Sequence, residues 1–366
     1  MRKIKVDLKR LKYDIIIGKG AISRISGVIS GIGFKGPVVV ISDRNVRALF
    51  GKYISKGLLS LPNRVINIDV PASERAKSID VFQATIRRIA KATRKHKPLI
   101  VAIGGGVVGD LSGFIAATFR RGVPVIQVPT TLLAGVDSSI GGKTGIDIPE
   151  AKNLIGAFKQ PEAVIVDTEF LKALPERQLV NGMGEVIKYG VIKNPGLFRY
   201  LEHNIAKIFR KDDAAFARVL YDCALIKARI VEKDEFDAKD IRIILNFGHT
   251  LGHAVEAASG YSDGYNHGES VGLGMLMASG IALRLGILTQ RDHDRIKDLV
   301  KRAGLPLLAG RLAVQKVMGA YSHDKKFVKG LNRFVLPVRI GGVVVREGIS
   351  ENLIKAVVRE HVREQN

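Results

Sequence analysis

Residues Leu99–Phe119 read LIVAIGGGVVGDLSGFIAATF, an apolar run that turns at glycines and continues as a second apolar run. The first part, Leu99–Ile103, is rich in β-branched residues and predicts a buried strand, and the second has the spacing of a helix. Gly104, Gly106 and Gly109 match the pattern G-x-G-x-x-G. A strand, a glycine turn and a helix in this order indicate a bound nucleotide, because the turn and helix N-terminus can hold phosphate. The alternative is a tight turn with a purely structural role.

Further apolar runs predict strands at Leu11–Ile17, Val38–Ser42, Val125–Pro129 and Ala163–Asp167. Nearly continuous β-branched residues are typical of parallel strands covered by helices on both faces. Apolar spacing predicts helices over 75–95 and 107–118. From about Leu171 onward helical spacing prevails, and strand-like residues return at Arg333–Val345.

A chain of 366 residues is long enough for two domains. We therefore predict an α/β fold with two parts. Residues 1–168 form an N-terminal, Rossmann-like parallel-sheet domain that contains the candidate nucleotide turn, and residues 169–366 form a mainly helical C-terminal domain.

The chain is basic, with 58 Lys and Arg against 35 Asp and Glu and a net charge of +23. The basic residues are scattered, with their longest run in RKIKVDLKRLK near the N-terminus. Because no zinc-finger spacing, basic zipper or RNA-binding aromatic signature accompanies them, we expect no nucleic-acid partner. The charge suits an anionic small molecule, and the alternative is a basic surface with no specific partner.

Cysteine usage and hydropathy indicate the compartment. The single Cys223 excludes an internal disulfide. The most apolar stretch, residues 270–288, is shorter than the roughly 20 residues of a membrane helix and is interrupted by glycines, so it predicts a buried helix. We expect a cytoplasmic protein with no membrane partner.

The glycine turn departs from the usual dinucleotide fingerprint in one respect. An acid about 20 residues further on commonly binds the ribose hydroxyls. The corresponding stretch here, RRGVPVIQVPTT, contains no acid. Asp43, at the end of the Val38–Ser42 strand, is the candidate substitute, and its alternative role is to cap a helix.

Three histidines lie close together in LNFGHTLGHAVEAASGYSDGYNHGES. His249 and His253 are four residues apart and can share a helix face, and His267 follows on a glycine-flanked turn. Catalytic zinc takes three protein ligands and keeps one position open. All three histidines could bind, or one could act in catalysis while an acid completes the set. Glu185, in GMGEVIKYG, is the candidate acid, although a Glu three residues before Lys188 is usually a solvated ion pair.

A long Gly- and Ser-containing stretch, TTLLAGVDSSIGGKTGIDIPEAKNLIGAF, carries Asp137, Lys143, Lys152 and Asn153. Connections of this length are commonly functional, and lysines suit phosphate and carboxylate groups. GGKT is like the end of a Walker A loop, but the full pattern fails, so we do not expect an NTPase. A nucleotide turn, a metal cluster and anion-binding lysines together indicate redox chemistry on a small, multiply anionic polyol.

The chain resembles the 3-dehydroquinate synthase family from about Ile41 to Ile340. The shared motifs, in family order, are SDRNV, SERAK, GGGVVGD, FRRG, VPTTLLAGVDSSIGGKTGID, KNLIGAF, GMGEVIKYG, LNFGHTLGHAVE, NHGE and DKK…RFVLP.

The resemblance implies a homodimeric enzyme that uses NAD and a divalent metal, zinc or cobalt. Its substrate is a phosphorylated keto-sugar acid, 3-deoxy-D-arabino-heptulosonate 7-phosphate, and its products are 3-dehydroquinate and phosphate. The implied mechanism is transient oxidation by NAD, β-elimination of phosphate, re-reduction, ring opening and intramolecular aldol closure.

The resemblance also assigns residues. The implied metal ligands are Glu185, His249 and His267. The implied NAD contacts are Asp43, Glu74, Lys77, Gly105, Gly106, Val107, Val108, Gly109, Asp110, Thr130, Thr131, Lys143, Lys152, Phe170 and Leu171. The implied substrate contacts are Arg121, Asp137, Lys143, Lys152, Asn153, Lys188, Lys227, Arg242, Asn246, His253 and Lys325, with Lys325 chosen over Lys326. Arg121 is expected to reach the phosphate bound by the partner subunit.

Three departures from the family pattern concern local geometry. Gly184 stands where alanine is common, Gln178 stands where an acid is common, and the spacing from Lys227 to Arg242 is one residue longer than usual. The competing interpretations are another sugar-phosphate cyclase, such as a 2-deoxy-scyllo-inosose or valiolone-type synthase, and a net oxidoreductase of the iron-dependent alcohol dehydrogenase type.

Overall fold

The computed structural model describes residues 1–260, 264–310, 312–323 and 331–363. The strands are β1 (Arg2–Asp7), β2 (Lys12–Gly18), β3 (Val38–Asp43), β4 (Val65–Val70), β5 (Leu99–Gly104), β6 (Val125–Pro129), β7 (Lys143–Ile148), β8 (Ala151–Phe158), β9 (Ala163–Asp167), β10 (Ala309–Gly310), β11 (Arg333–Arg339), β12 (Gly342–Glu347) and β13 (Val362–Arg363). The helices are α1 (Ile25–Gly31), α2 (Arg44–Leu58), α3 (Ile79–Thr93), α4 (Gly106–Thr118), α5 (Thr168–Lys172), α6 (Glu176–Ile192), α7 (Pro195–Phe209), α8 (Asp213–Lys233), α9 (His249–Ala258), α10 (His267–Arg284), α11 (Gln290–Arg302), α12 (Val314–His323) and α13 (Glu351–His361). Short 3-10 turns cover Ala21–Arg24, Glu74–Lys77, Phe119–Arg121 and Arg242–Asn246, and a π turn covers Ala134–Ser138.

The chain divides into two compact units. The first contains Met1–Pro175 and Lys211–Phe236, and the second contains Glu176–Arg210 and Asp237–Asn366. The sequence predicted a single boundary between the two parts, after residue 168. In the structure, α8 belongs to the first unit although α6 and α7 of the second unit precede it in the chain. It does so because its apolar face packs against β1, β2 and the π turn.

The first unit is built on a seven-stranded sheet in the order β1-β2-β9-β6-β5-β3-β4. Every neighbouring pair is parallel except β1 with β2. The predicted α/β fold with a Rossmann-like sheet is therefore confirmed. β1 and β4, which the sequence analysis did not identify, form the two edges of the sheet. Exposed residues alternate with buried ones along β1, and the exposed ones are charged. Charged side chains protect a sheet edge from further pairing, which accounts for the basic N-terminal run.

Both faces of the sheet are covered. Val38 and Val40 of β3 pack with residues of α1 and α2, whereas Val39 and Ile41 pack with residues of α3 and α4. Strands buried in this way carry β-branched residues at consecutive positions rather than at alternate ones. This is why the sequence revealed the central strands and missed the edge strands β1 and β4, in which polar residues interrupt the apolar ones.

Strands β3 and β5 mark the point at which the strand order reverses. From β3 the chain moves outward to β4, and it then returns to place β5 on the other side of β3 before β6 follows. In such sheets, ligands bind at the carboxyl ends of the two strands that flank the reversal. Asp43 ends β3 and Gly104 ends β5, and the preceding residues Ser42 and Ile103 are direct neighbours across the two strands.

The second unit is mainly helical, as predicted, with the hairpin β11–β12 where strand-like residues return. Helix α10 covers most of the apolar stretch 270–288, and its side chains are buried from Ser270 to Ala282. Its burial within the unit confirms the prediction of a core helix. Across the residues that the structure describes, no helix is long and apolar enough to cross a membrane.

Asp167, at the carboxyl end of β9, joins several segments of the first unit. Its fully buried carboxylate accepts hydrogen bonds from the backbone N–H groups of Gly20 (3.0 Å), Ile22 (2.9 Å) and Glu169 (3.0 Å) and from the hydroxyl of Tyr53 (2.8 Å). Asp167→Ala should lower the free energy of unfolding by about 3 kcal/mol or more, because buried donors lose a charged acceptor.

The urea midpoint of unfolding measures this effect. Asp212→Ala is the control. Asp212 caps α8 by accepting one hydrogen bond from Ala215 N–H, and the loss of this cap should lower the free energy of unfolding by about 1 kcal/mol. Equal midpoints for the two variants would show that Asp167 has no special role.

Candidate active site

Three helices of the second unit meet at glycines. A side chain on Gly268 of α10 would collide with the carbonyl oxygen of Asn181 on α6, and one on Gly274 would collide with that of Gly248, which precedes α9. A Cβ on Gly184 of α6 would lie 2.6 Å from the carbonyl oxygen of Gly268. The helices approach closely because these positions have no side chain.

This approach brings three metal-ligating side chains together. Glu185 follows Gly184 on α6, His249 begins α9, and His267 begins α10. Glu185 Oε1 lies 3.3 Å from His249 Nε2 and 3.3 Å from His267 Nε2. The potential ligand atoms of all three residues lie within 4.8 Å of one another. Two ligands about 2.1 Å from a tetrahedral zinc ion are about 3.4 Å apart, so these spacings suit such an ion.

The protonation states also fit a cation. Burial lowers the pKa of His249, which favours neutral imidazole with a single N–H. Two acceptors face that ring, since Nδ1 is 3.1 Å from the carbonyl oxygen of Phe247 and Nε2 faces Glu185. If Nδ1 donates to Phe247, the Nε2 lone pair points toward a carboxylate oxygen. A positive ion between the two would satisfy both.

Glu185 and His267 carry opposite charges without a metal. Burial opposes ionisation of Glu185, but Lys188 and His249 outweigh it and hold the pKa of Glu185 well below its usual range. Burial also opposes protonation of His267, yet contacts with Glu185 and Glu256 raise the pKa of His267 to about 9. His267 must therefore lose a proton at neutral pH before both it and Glu185 can bind one ion.

Lys188 forms an ion pair with Glu185 inside this unit. Both side chains are at most 2% exposed, so the alternative interpretation of a solvated surface pair is wrong. The ammonium compensates a buried carboxylate, which would otherwise be strongly destabilising.

The other residues predicted in this unit differ in their solvent exposure. The ring centroid of His253, an exposed residue one turn along α9, lies 5.2 Å from that of His249. Arg242 is buried and Asn246 is exposed, at the two ends of the 3-10 turn that precedes α9. Lys325 and Lys326 lie outside the described residues.

The glycine turn of the first unit is shaped by close packing. A Cβ on Gly104 would lie 2.5 Å from Val108, and one on Gly109 would lie 3.0 Å from Gln127 of β6. A Cβ on Gly106 would lie 3.0 Å from Ser138. The turn begins α4 with Gly105 as its N-cap, so no capping side chain occupies the first amides of the helix. Val108 is buried and packs in the core.

The remaining predicted NAD contacts near the sheet have structural partners. Asp43 caps α2 by accepting a hydrogen bond from Val46 N–H at 2.9 Å. Helix capping was the alternative to ribose binding for this residue. Thr130 N–H donates to the carbonyl of Gly104 at 2.9 Å, and Thr131 accepts from Ala134 N–H at 3.2 Å. Phe170 and Leu171 are buried, so their side chains belong to the core of the first unit and leave only backbone atoms for a ligand.

A buried lysine links three of the predicted residues of the first unit. Lys77, 3% exposed, donates to Asp110 at 2.9 Å and to the side-chain oxygen of Asn153. Burial would lower the pKa of Lys77, but Asp110, Glu74 and Asp147 outweigh it and raise that pKa. Lys77 therefore stays charged between the helix that follows the glycine turn and the β7–β8 hairpin.

The other polar residues predicted in the first unit lie on different elements. Lys227 of α8 pairs with Asp137 of the π turn at 2.7 Å. Lys143 is exposed at the start of β7, and Lys152 is half-buried in β8. Arg121 is exposed beside Arg120, and both have left-handed backbone angles, with φ of 61° and 50°.

Two functional candidates were missed from the sequence. Glu256 lies 3.6 Å from His267 Nδ1, and the Asn181 side chain accepts from the N–H of Gly268 at 2.7 Å. Helical spacing could have identified Glu256, because it lies seven residues after His249 on the same helix face. Nothing local in the sequence indicates Asn181, since its partner lies on another helix.

Solved structures place the fold in a class. The chain superposes on 2-epi-5-epi-valiolone synthase from Streptomyces hygroscopicus, with NAD⁺ and Zn²⁺ bound, at a TM-score of 0.87 and 25% identity, covering 96% of this chain and 97% of that one. It superposes on 2-deoxy-scyllo-inosose synthase, complexed with carbaglucose-6-phosphate, NAD⁺ and Co²⁺, at a TM-score of 0.88 and 24% identity over 98% and 100%. The fold is therefore that of the sugar-phosphate cyclases.

Sequence comparison specifies the family within this class. The N-terminal 3-dehydroquinate synthase model matches residues 67–181, and the C-terminal model matches residues 182–327. A 3-dehydroquinate synthase from Acidithiobacillus ferrooxidans is 44% identical over 94% of both chains, and one from Desulforamulus reducens is 41% identical over 98% of this chain and 100% of its own. The chain belongs to the 3-dehydroquinate synthase family.

Gly184→Ala tests the contact between α6 and α10. The added Cβ meets a backbone oxygen, so we expect a loss of stability of about 1–3 kcal/mol. We also expect weaker zinc binding, since Glu185 and His267 adjoin the contact. Chemical unfolding and chelator competition measure the two effects. Gly280→Ala on α10 is the control, because its Cβ would lie 3.4 Å from Val357, an ordinary contact. The same result for both variants would exclude a tight contact at Gly184.

Lys188→Met tests charge compensation at Glu185. The metal-free protein should lose about 3–5 kcal/mol of stability, because one partner of a buried ion pair is gone. Zinc should restore more stability to this variant than to the wild type, since the ion replaces the missing positive charge. Thermal unfolding with and without zinc measures both. The control is Lys193→Met, at an exposed position just after α6. An equal response to zinc in Lys188→Met and wild type would argue against compensation.

Proposed function

We propose that this protein converts 3-deoxy-D-arabino-heptulosonate 7-phosphate to 3-dehydroquinate and phosphate, with NAD and a divalent metal ion as cofactors. Membership of the 3-dehydroquinate synthase family over nearly the whole chain supports the proposal. The structural observation that carries it is the convergence of Glu185, His249 and His267. That donor set suits zinc or cobalt.

The first unit supplies the proposed NAD site. The glycine turn and the start of α4 lie at the carboxyl end of β5, beside the end of β3. Uncapped amides at a helix N-terminus are a favourable site for a pyrophosphate. Asp43 ends the neighbouring strand and can accept from ribose hydroxyls while it caps α2. The resemblance adds Glu74, Lys77, Asp110, Thr130 and Thr131 around this edge.

The bound cofactors supply reversible hydride acceptance, by NAD, and polarisation of a hydroxyl oxygen, by the metal ion. The chain's own residues bind and orient the substrate. We assign anion binding to Lys143, Lys152, Asn153, Lys188, Lys227, Arg242, Asn246 and Lys325. Lys227 is held by Asp137, which fixes where its charge lies. His253 is assigned to substrate contact or proton transfer, since it is exposed beside the ligand His249.

We include a homodimer in the proposal because the family resemblance implies that Arg121 of one subunit reaches the phosphate bound by its partner. Two consecutive arginines with left-handed backbone angles are energetically costly, and such strain tends to persist where it serves function. We assign Arg121 to the phosphate bound by a partner subunit. The cytoplasmic location expected from the sequence stays a prediction.

A single assay tests the activity. The full-length protein is incubated with the heptulosonate phosphate, NAD and zinc, and phosphate release and NADH absorbance are followed together. We expect phosphate to equal substrate consumed with no net NADH, because the hydride is returned. Glu185→Gln should lose most of this activity, since the carboxylate ligand is gone, whereas Glu202→Gln, on α7, should retain it.

The same assay separates the alternatives. Sustained NADH accumulation would identify a net oxidoreductase and overturn the proposal. Turnover of glucose 6-phosphate in place of the heptulosonate phosphate would identify another sugar-phosphate cyclase.

A further inference from the structure

Helix α9 presents three polar side chains along one face. His249, His253 and Glu256 occupy positions i, i+4 and i+7, so they follow one another along successive turns. Glu256 is only 8% exposed. A carboxylate buried to this degree is costly unless a positive or hydrogen-bonding group compensates it.

His267 is one group that contacts this carboxylate. Glu256 Oε2 lies 3.6 Å from His267 Nδ1, and Glu185 Oε1 lies 3.3 Å from His267 Nε2. The imidazole therefore lies between two carboxylates from different helices. Glu185 belongs to the set of converging ligand atoms, and Glu256 does not.

His249 and His267 are oriented by different groups. His249 Nδ1 faces a backbone carbonyl, that of Phe247, whereas His267 Nδ1 faces a charged side chain. A histidine that binds metal through one nitrogen commonly donates the other N–H to a carbonyl or carboxylate, which fixes its tautomer and strengthens it as a donor. At 3.6 Å the contact between Glu256 and His267 has the length of an ion pair, and the negative charge of the carboxylate favours a proton on the facing nitrogen, Nδ1.

We propose that Glu256 is a positioning residue for the metal ion. It holds the proton of His267 on Nδ1 and so directs the Nε2 lone pair toward the ion, without touching the ion itself. The inference rests on the proposed metal site. Asn181 supports the same ligand from the backbone side, since it accepts from the N–H of Gly268 directly after His267.

Glu256→Gln tests this role, because the amide keeps the shape of the side chain and removes its charge. We expect zinc and cobalt to bind 10–100-fold more weakly, on the order found when such partners are lost. Chelator competition measures the dissociation constants, and the d–d absorption of the cobalt-loaded protein should shift as the donor strength of His267 changes. The control is Glu202→Gln, which breaks a carboxylate–Arg295 pair at 2.8 Å in the same unit. Its metal affinity and cobalt spectrum should match the wild type.

A purely structural ion pair would lower thermal stability and leave the cobalt spectrum unchanged, which would overturn the proposal. Affinity within twofold of the wild type would do the same. Should the variant fail to fold, nitrogen NMR of the zinc-loaded wild type with labelled histidine decides the question. We expect Nδ1 of His267 to be protonated and Nε2 to bind zinc, and the reverse arrangement would contradict the proposal. Failure of the wild type to bind either metal would instead remove the proposed metal site.

Discussion

The second unit depends on the distance at which three helices can approach one another. Side chains normally hold helix axes 8–10 Å apart. Gly184, Gly248, Gly268 and Gly274 remove that spacer where α6, α9 and α10 meet, so backbone lies against backbone. Each of the three ligand residues is adjacent in sequence to one of these glycines: Glu185 to Gly184, His249 to Gly248 and His267 to Gly268. Long stretches of chain nevertheless separate α6 from α9. The close packing of the helix backbones therefore determines where the three ligand side chains lie.

Charge balance is the second constraint on this unit. A carboxylate as buried as Glu185 needs positive charge nearby, and Lys188 supplies it together with the protonated His267. The same positive groups compete with a metal ion for the carboxylate. The site thus combines charge compensation without a metal ion and a donor set that an ion can complete. Glu256 extends the balance outward by giving His267 a second anionic neighbour.

The sequence predicted those features that depend on local composition. Consecutive β-branched residues identified the buried strands, and histidine spacing indicated a metal site, whereas the particular set Glu185, His249 and His267 followed only from the family resemblance. The edge strands β1 and β4 were missed because their polar residues do not follow the pattern of a strand buried on both faces. The pairing of α8 with the first unit, the burial of Phe170 and Leu171, and the carboxylate of Glu256 were missed for another reason. Each depends on contacts between segments far apart in the chain.

The role of the glycines illustrates the same limit. The pattern Gly104, Gly106 and Gly109 was visible in the sequence, but the reason for it was not. A Cβ on Gly104 would collide with Val108 at 2.5 Å, and one on Gly109 would crowd the side chain of Gln127 at 3.0 Å. None of the three has a left-handed backbone. What the turn requires is space rather than flexibility, and only the neighbours in the fold reveal that requirement.

The return of the chain to the first unit determines the order in which the protein can be completed during synthesis. The seven strands are finished at Asp167, yet α8, which covers β1 and β2, is not finished until Lys233. Until then, the residues that α8 covers are open to solvent. A nascent chain that has released every strand would still expose apolar surface, a state in which proteins are prone to aggregate. The first unit can therefore begin to fold before the second. It cannot finish until residues 176–210 of the second unit have also been synthesised.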